Sequence, residues 1–390
     1  MTQPDDPDPF GDREVMQVGP HRRTPLVIAV CLIIALAGIG LWHSVRKGGF
    51  PLPGPTAASS PPAADPTDAP SQRSRLDFDI DLSWLHAATD YSLVVHAGGA
   101  VYRIAARTGH VERAWIPRLA TDSAINDPGA VVPSGSSVLV LATGSRTVYV
   151  VPDDAGSASS FTTAGTDLLP GPDSRHVWVR QDATHLVLVG LDGSRTRTTL
   201  TLPKDIVGVP QSDRNGYVVV QTDHGVYDIR PHDRTRLASG RLVATGPTSL
   251  LITSCRKVDS CTAVIFGRNL KKERTAQLHN ETPTSSGYGV ISPDAHYAAL
   301  ADAADPSENP VTLIDLNTGT SRRLSTAVNW QVLAPGSGQL AFSPDGRWLF
   351  VIDPERSLTA VDTRCAASGT CLKSRTLPDF GILQQVAVRP

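Results

Sequence analysis

One unit recurs along residues 76–390: a strand-like apolar run closed by a tight turn. It reads VYRIAARTG from Val101, VYVVPDDAG from Val148, LVLVGLDG from Leu186 and VYDIRPHD from Val226. It continues as TAVIFGRN from Thr262, VTLIDLNTG from Val311 and LTAVDTR from Leu358. Successive starts are 47, 38, 40, 36, 49 and 47 residues apart, a mean of about 43. That period is the length of a propeller blade, four short antiparallel strands that bury their faces only against neighbouring copies.

A second apolar run precedes each of these, as LVVH at 93–96, VLVLAT at 138–143, HVWVRQ at 176–181 and YVVVQT at 217–222. The later copies are LLITSC at 250–255, YAALAD at 297–302 and WLFVID at 348–353. Turn residues stand ahead of them, such as Pro133-Ser134-Gly135, Ser292-Pro293-Asp294 and Ser343-Pro344-Asp345-Gly346. Composition agrees with a turn-rich β protein. Of the 38 acidic residues 32 are Asp, which favours caps and turns, and the 32 Gly and 31 Pro are too many for a helical bundle. The expected fold is all-β, a seven-bladed β-propeller.

AFSPDGRWLFVID at 341–353 and VISPDAHYAALAD at 290–302 resemble the Ser-Pro-Asp-Gly repeats of TolB-like and WD40-like bacterial propellers. AVYRIAARTGHVERAW at 100–115 is similar to a PQQ-like propeller repeat. These resemblances imply a fold rather than an activity, because such repeats serve many functions. Asp345 and Asp294 are expected to be turn carboxylates that accept backbone N–H groups.

A ring of blades needs its ends joined. ILQQVAVRP at 382–390 follows the last full repeat and is expected to supply the innermost strand of the blade around residues 93–115. The rival for closure is DFDIDL at 77–82, whose acids alternate with apolar residues. Either way the ring loses an open sheet edge.

The residues before the repeats read differently. Pro25 to Trp42 carry no charge, with Arg22 and Arg23 on one side and Arg46 and Lys47 on the other. As a helix this run spans about 27 Å, enough to cross the hydrocarbon core. The expected organisation is a disordered cytoplasmic tail over 1–24, a transmembrane helix over 25–45, a Pro/Ala/Ser-rich linker over 46–75 and the propeller over 76–390. The expectation is a single-pass protein of the cell membrane, its N-terminus cytoplasmic and its propeller extracytoplasmic.

Cys31 lies in the apolar run, and the other cysteines form two pairs, Cys255 with Cys261 and Cys365 with Cys371. Each pair encloses five residues, RKVDS and AASGT, in polar runs between expected strands, and a hairpin brings opposed Cα atoms within disulfide range. Two local disulfides are expected, and with them an oxidising compartment. Zinc sites place two to four residues within a pair, which neither pair does.

No catalytic motif stands out. None of the eleven histidines makes an HxH or HExxH spacing, and there is no GxSxG. Catalytic, cofactor-binding and metal-binding residues are therefore all read as none, and no cofactor is expected. A net charge of −2 gives no reason to expect nucleic acid. The resulting functional expectation is a membrane-anchored, extracytoplasmic propeller that binds a protein or cell-envelope component as a scaffold or sensor, without catalysis. The alternative is a hydrolase, lyase or lactonase working at the central mouth of the propeller.

Overall fold

The computed structural model describes residues 76–122, 129–142, 144–153, 158–165, 167–208, 210–212, 216, 218–257, 260–267, 271–278, 288–301, 310–327, 338–368 and 374–390. They fall within one compact unit, Gln72–Pro390.

The strands alternate in chain order as β1 (Leu76–Asp79), β2 (Ser92–Ala97), β3 (Ala100–Ala105) and β4 (His110–Trp115), then β5 (Ala130–Ser134), β6 (Ser137–Ala142), β7 (Thr147–Pro152) and β8 (Ser159–Thr162). There follow β9 (Leu168–Pro170), β10 (His176–Asp182), β11 (His185–Gly190) and β12 (Arg195–Thr201), and β13 (Gln211–Ser212), β14 (Val218–Thr222), β15 (Gly225–Arg230) and β16 (Asp233–Ala238). Next are β17 (Arg241–Thr245), β18 (Ser249–Lys257), β19 (Ser260–Gly267) and β20 (Lys272–Leu278), with β21 (Tyr288–Ile291), β22 (Tyr297–Ala301), β23 (Pro310–Asp315) and β24 (Ser321–Ala327). The series ends with β25 (Leu340–Phe342), β26 (Trp348–Ile352), β27 (Leu358–Asp362), β28 (Ser374–Thr376) and β29 (Leu383–Arg389). Two short helices interrupt it, α1 (Pro117–Asp122) and α2 (Thr363–Ser368).

Neighbouring sheets touch through strands at or next to their inner edges. β29 meets β5, β5 meets β9, β9 meets β13, and β14 meets β17; β17 then meets β21, β21 meets β25, and β25 returns to β29. The core lies between sheets. One apolar cluster joins Val94 and Val101 of the first sheet to Val138 and Val140 of the next, and another joins Val177 and Val187 to Leu139 and Leu141. All six residues of β6 are buried, because both faces of the strand pack against neighbours. Each buried Val or Leu contributes on the order of 1.5–3 kcal/mol relative to exposure.

Both ends of the ring enter the same sheet, whose order is β1-β4-β3-β2-β29. β29 lies innermost, antiparallel to β2, with Leu93 opposite Val388 and Val95 opposite Val386. This is the closure expected of residues 382–390. The rival segment has a different place: β1 pairs with β4 as an outermost fifth strand, Phe78 opposite Val111. From there a 3-10 turn over Ser83–Leu85 carries the chain to the sheet of β25–β28. Leu85 and Tyr91 pack there with Trp348 and Phe350.

The expectation of seven separate blades behind a transmembrane helix is corrected. Five sheets stand apart, and the meanders β17–β20 and β21–β24 form one eight-stranded sheet. The join is a parallel pairing of β17 with β21, Ala244 opposite Gly289 and Thr245 opposite Val290. Small residues permit it: a Cβ on Gly289 would stand 2.8 Å from the Val243 carbonyl oxygen, and one on Gly246 would stand 2.8 Å from that of Ile291. Two backbones thus approach within ladder distance where a side chain would hold them apart.

Among the described residues no helix is long and apolar enough to cross a membrane. The two helices have six residues each, about 9 Å of rise against a hydrocarbon core of about 30 Å. Residues 1–24, 25–45 and 46–75, expected as tail, anchor and linker, lie outside the described residues. The anchor, the single-pass topology, the membrane as a partner and the extracytoplasmic location thus have no support in the structure. No disulfide has both of its sulfurs described either. Cys255 and Cys261 are opposed at Cα across β18 and β19, and Cys365 is disulfide-bonded, but Cys371 lies outside the described residues. The expected pair of staples is therefore not established.

Candidate functional site

The first strands of adjacent sheets run the same way, so β5, β9 and β29 end side by side at Ser134, Pro170 and Arg389. Pro133 and Pro170 stop ladder donation at this end. Gly135 then turns the chain with φ +54°, and a Cβ there would stand 2.7 Å from the Ser174 carbonyl oxygen. Hydroxyls tie the ends together: Ser134 Oγ donates to the Ser174 carbonyl at 3.1 Å, and Ser212 Oγ to that of Pro170 at 2.9 Å.

Arg389 stands at the centre of this face. Its Nη1 lies 2.6 Å from Asp153 Oδ2, and its Nη2 donates to the Gly135 carbonyl. The other oxygen of Asp153 lies 3.2 Å from Arg103 Nη1, and Arg103 in turn pairs with Glu112. A line of alternating charge therefore crosses from the first sheet to the second, its side chains mostly buried. With both carboxylate oxygens of Asp153 engaged, the guanidinium of Arg389 is held in one orientation.

A shallow depression opens on each side of Arg389 and Pro390. One, of about 250 Å³, is lined by Ser134, Gly135, Pro170, Asp173 and Ser174. The other, of about 270 Å³, is lined by Asp90, Tyr91, Ser92, Arg103, Arg107 and Thr108. Arg389 and Pro390 are walls of both. Partial burial pushes the Asp173 carboxyl up, but the Arg175 N–H at 2.8 Å and the His176 imidazole outweigh it and hold Asp173 below the ordinary range. Burial pushes the Tyr91 phenol well above its ordinary value, and the charge of Asp345 adds to the effect. Asp173 is therefore anionic, and Tyr91 a neutral hydroxyl, at neutral pH.

The residues singled out in sequence lie elsewhere. In both Ser-Pro-Asp turns the serine hydroxyl donates to the aspartate at 2.6 Å, and the aspartate accepts a backbone N–H at 3.1 Å. Asp294 and Asp345 are thus turn carboxylates. Five described histidines have local partners: His110 with Asp79, His176 with Asp173, His185 with Asp182 and His296 with Asp294, while His96 Nε2 donates to the Gly98 carbonyl at 2.7 Å. Among the described residues no three His, Cys, Asp or Glu side chains could hold a metal ion. Sequence reading passed over Arg389, Asp153 and Arg103. The one signal was position, since Arg389 ends the strand that closes the ring.

No family model matches this sequence, and no curated protein matches it. Similar solved structures are β-propellers: apo AztD from Citrobacter koseri at 13% identity, TM-score 0.43, covering 77% of this chain and 98% of that one. TolB from Acinetobacter baumannii is 17% identical with a TM-score of 0.43, covering 80% of this chain and 86% of that one. The Cps50 (Swd1) β-propeller domain from Myceliophteria thermophila is 10% identical with a TM-score of 0.44, covering 64% of this chain and 85% of that one. At such identities the likeness concerns fold alone.

Proposed function

We propose that this chain is a recognition domain that takes an extended segment of a partner protein across the face where β5, β9 and β29 end. The observation that carries the reading is the pair of depressions sharing Arg389 and Pro390 as a common wall. Their linings combine hydroxyls, a buried tyrosine, an anionic Asp173 and arginines, a mixture suited to main-chain and polar side-chain groups. Arg389 is already fixed by Asp153 and Gly135, so little of its freedom is lost on binding. Within propellers, the two Ser-Pro-Asp turns favour grouping the chain with TolB-like repeat proteins. The reading assigns binding, not chemistry, to this face.

The test is selection of a displayed peptide library on the full chain, followed by affinity measurements on two variants. Ser174→Trp fills one depression and Thr108→Trp the other, each at an exposed turn position. Selected peptides should lose about tenfold or more in affinity to each variant, the loss of one good contact. Peptides that bind both variants as well as the parent would refute this face as the site.

A further inference from the structure

At every other step of the ring an inner strand meets an inner strand, as β9 meets β13 and β25 meets β29. Between the sheet of β13–β16 and β17 the contact runs instead through β14 and β15. The innermost strand there, β13, has two residues. Alternation divides β14 and β15 between the two seams of their sheet. Val218, Val220, Tyr227 and Ile229 pack in the cluster shared with β9–β12. Val219, Gln221, Val226 and Asp228 therefore face the other way, toward the side of β17.

Two polar side chains lie on this second seam. Gln221 is a clasp: its Oε1 accepts the Leu242 N–H of β17 at 2.7 Å, and its Nε2 donates to the carbonyls of Gly240 at 3.4 Å and Thr222 at 2.8 Å. Asp228 is 1% exposed, with Oδ2 2.7 Å from Arg230 Nε and Oδ1 buried without a hydrogen-bond partner. A neutral carboxyl tolerates that position far better than a carboxylate, whose second oxygen would be left dry. Burial accordingly pushes the Asp228 carboxyl above its ordinary value, which Arg230 only partly offsets. Asp233 of β16 acts in the same direction as burial. Arg234 and Arg236 of β16 stand opposite Ile229 and Tyr227, on the other face. β14 carries no charged residue, and Arg241, the one charge of β17, is exposed.

We propose that this seam opens locally when Asp228 loses its proton, while the other seams of the ring stay closed. Opening lets water reach both carboxylate oxygens, so ionisation and opening favour each other. The seam is thus closed in acid and loosens as pH rises.

Two backbone amides report on two seams. Leu242 N–H bonds to Gln221 across this one, and Val386 N–H donates to the Gly338 carbonyl across the seam of β29 with β25. Hydrogen exchange of the full chain, resolved to these amides, gives each protection factor from pH 4 to pH 8. Leu242 should lose about tenfold or more in protection relative to Val386 as pH rises, since opening gains up to about tenfold per pH unit above the folded value. Asp228→Asn keeps the shape and removes the charge. It should hold the ratio of Leu242 to Val386 protection level across the range, with a circular dichroism spectrum matching wild type. A ratio that stays level in wild type overturns the proposal, whether or not the variant folds. A ratio that falls in Asp228→Asn as it does in wild type overturns it as well.

Discussion

The indole N–H of Trp348 donates to the carbonyl oxygen of Leu85 at 2.8 Å, joining the last sheet to the segment that leads into the first. The edge of the Trp84 ring rests on the same indole, with centroids 5.3 Å apart. The closure of the ring by β29 is therefore backed by a second strap on the outside. Trp348→Phe should keep most of the packing and leave a buried carbonyl without its donor, at a cost of about 1–3 kcal/mol. Trp348→Ala should cost about 3–5 kcal/mol. Chemical denaturation midpoints measure both, and an unchanged midpoint for the phenylalanine variant would mean that the strap contributes nothing.

The two Ser-Pro-Asp turns differ at one position. Gly346 sits at φ +67°, and its counterpart Ala295 at φ +54°, where a Cβ is strained. Ala295→Gly should be neutral to stabilising by up to about 1 kcal/mol, as strain relief offsets the greater freedom of the unfolded chain. Gly346→Ala should destabilise by roughly 1–2 kcal/mol, since its Cβ would also stand 3.1 Å from Asp294 Oδ1 in the neighbouring turn. Opposite signs in thermal melts are the expected outcome. Equal effects would show that the turns are not equivalent.

These turns were legible in the sequence because their chemistry is local: Ser, Asp and the following N–H groups lie within five residues. The strand pattern was legible for the same reason, as was the spare strand at 382–390. The fusion of β17 with β21 was not, because it depends on how closely two backbones approach at Ala244 and Gly289. The placement of β1 was hidden too, since alternating acids in DFDIDL suit an inner or an outer edge alike. Arg389 and Asp153 belong to distant repeats, and only ring closure brings them together. The apolar run from Pro25 to Trp42 was the clearest signal in the sequence, but it lies outside the described residues, and among those no helix is long and apolar enough to cross a membrane.

Asp167 and Arg180 form a buried pair with Nη2 2.6 Å from Oδ2, their side chains 4% and 17% exposed. Burial pushes the Asp167 carboxyl above its ordinary value, and Arg180 only partly offsets that. A raised folded pKa means that the contribution to stability is full below the unfolded value of about 3.9 and declines as pH rises through the folded one. Asp228 and Asp353 are raised in the same sense, each chiefly by burial. Arg180→Met should cost about 3–5 kcal/mol at neutral pH, because it leaves a carboxylate buried without its partner. It should also steepen the fall in stability between pH 4 and pH 7. Denaturation midpoints across that range check both points, and a variant whose pH profile parallels wild type would contradict the assignment.

The face around Arg389 forms only if β29 is the innermost strand of the first sheet. Native-state hydrogen exchange measures that directly. The amides of β29 should exchange as slowly as those of β2, in the class that requires global unfolding, whereas those of exposed β1 should exchange faster. Rapid exchange across residues 383–389 beside a protected β2 would mean that the ring is closed in some other way, and that the face described at its end does not exist in solution.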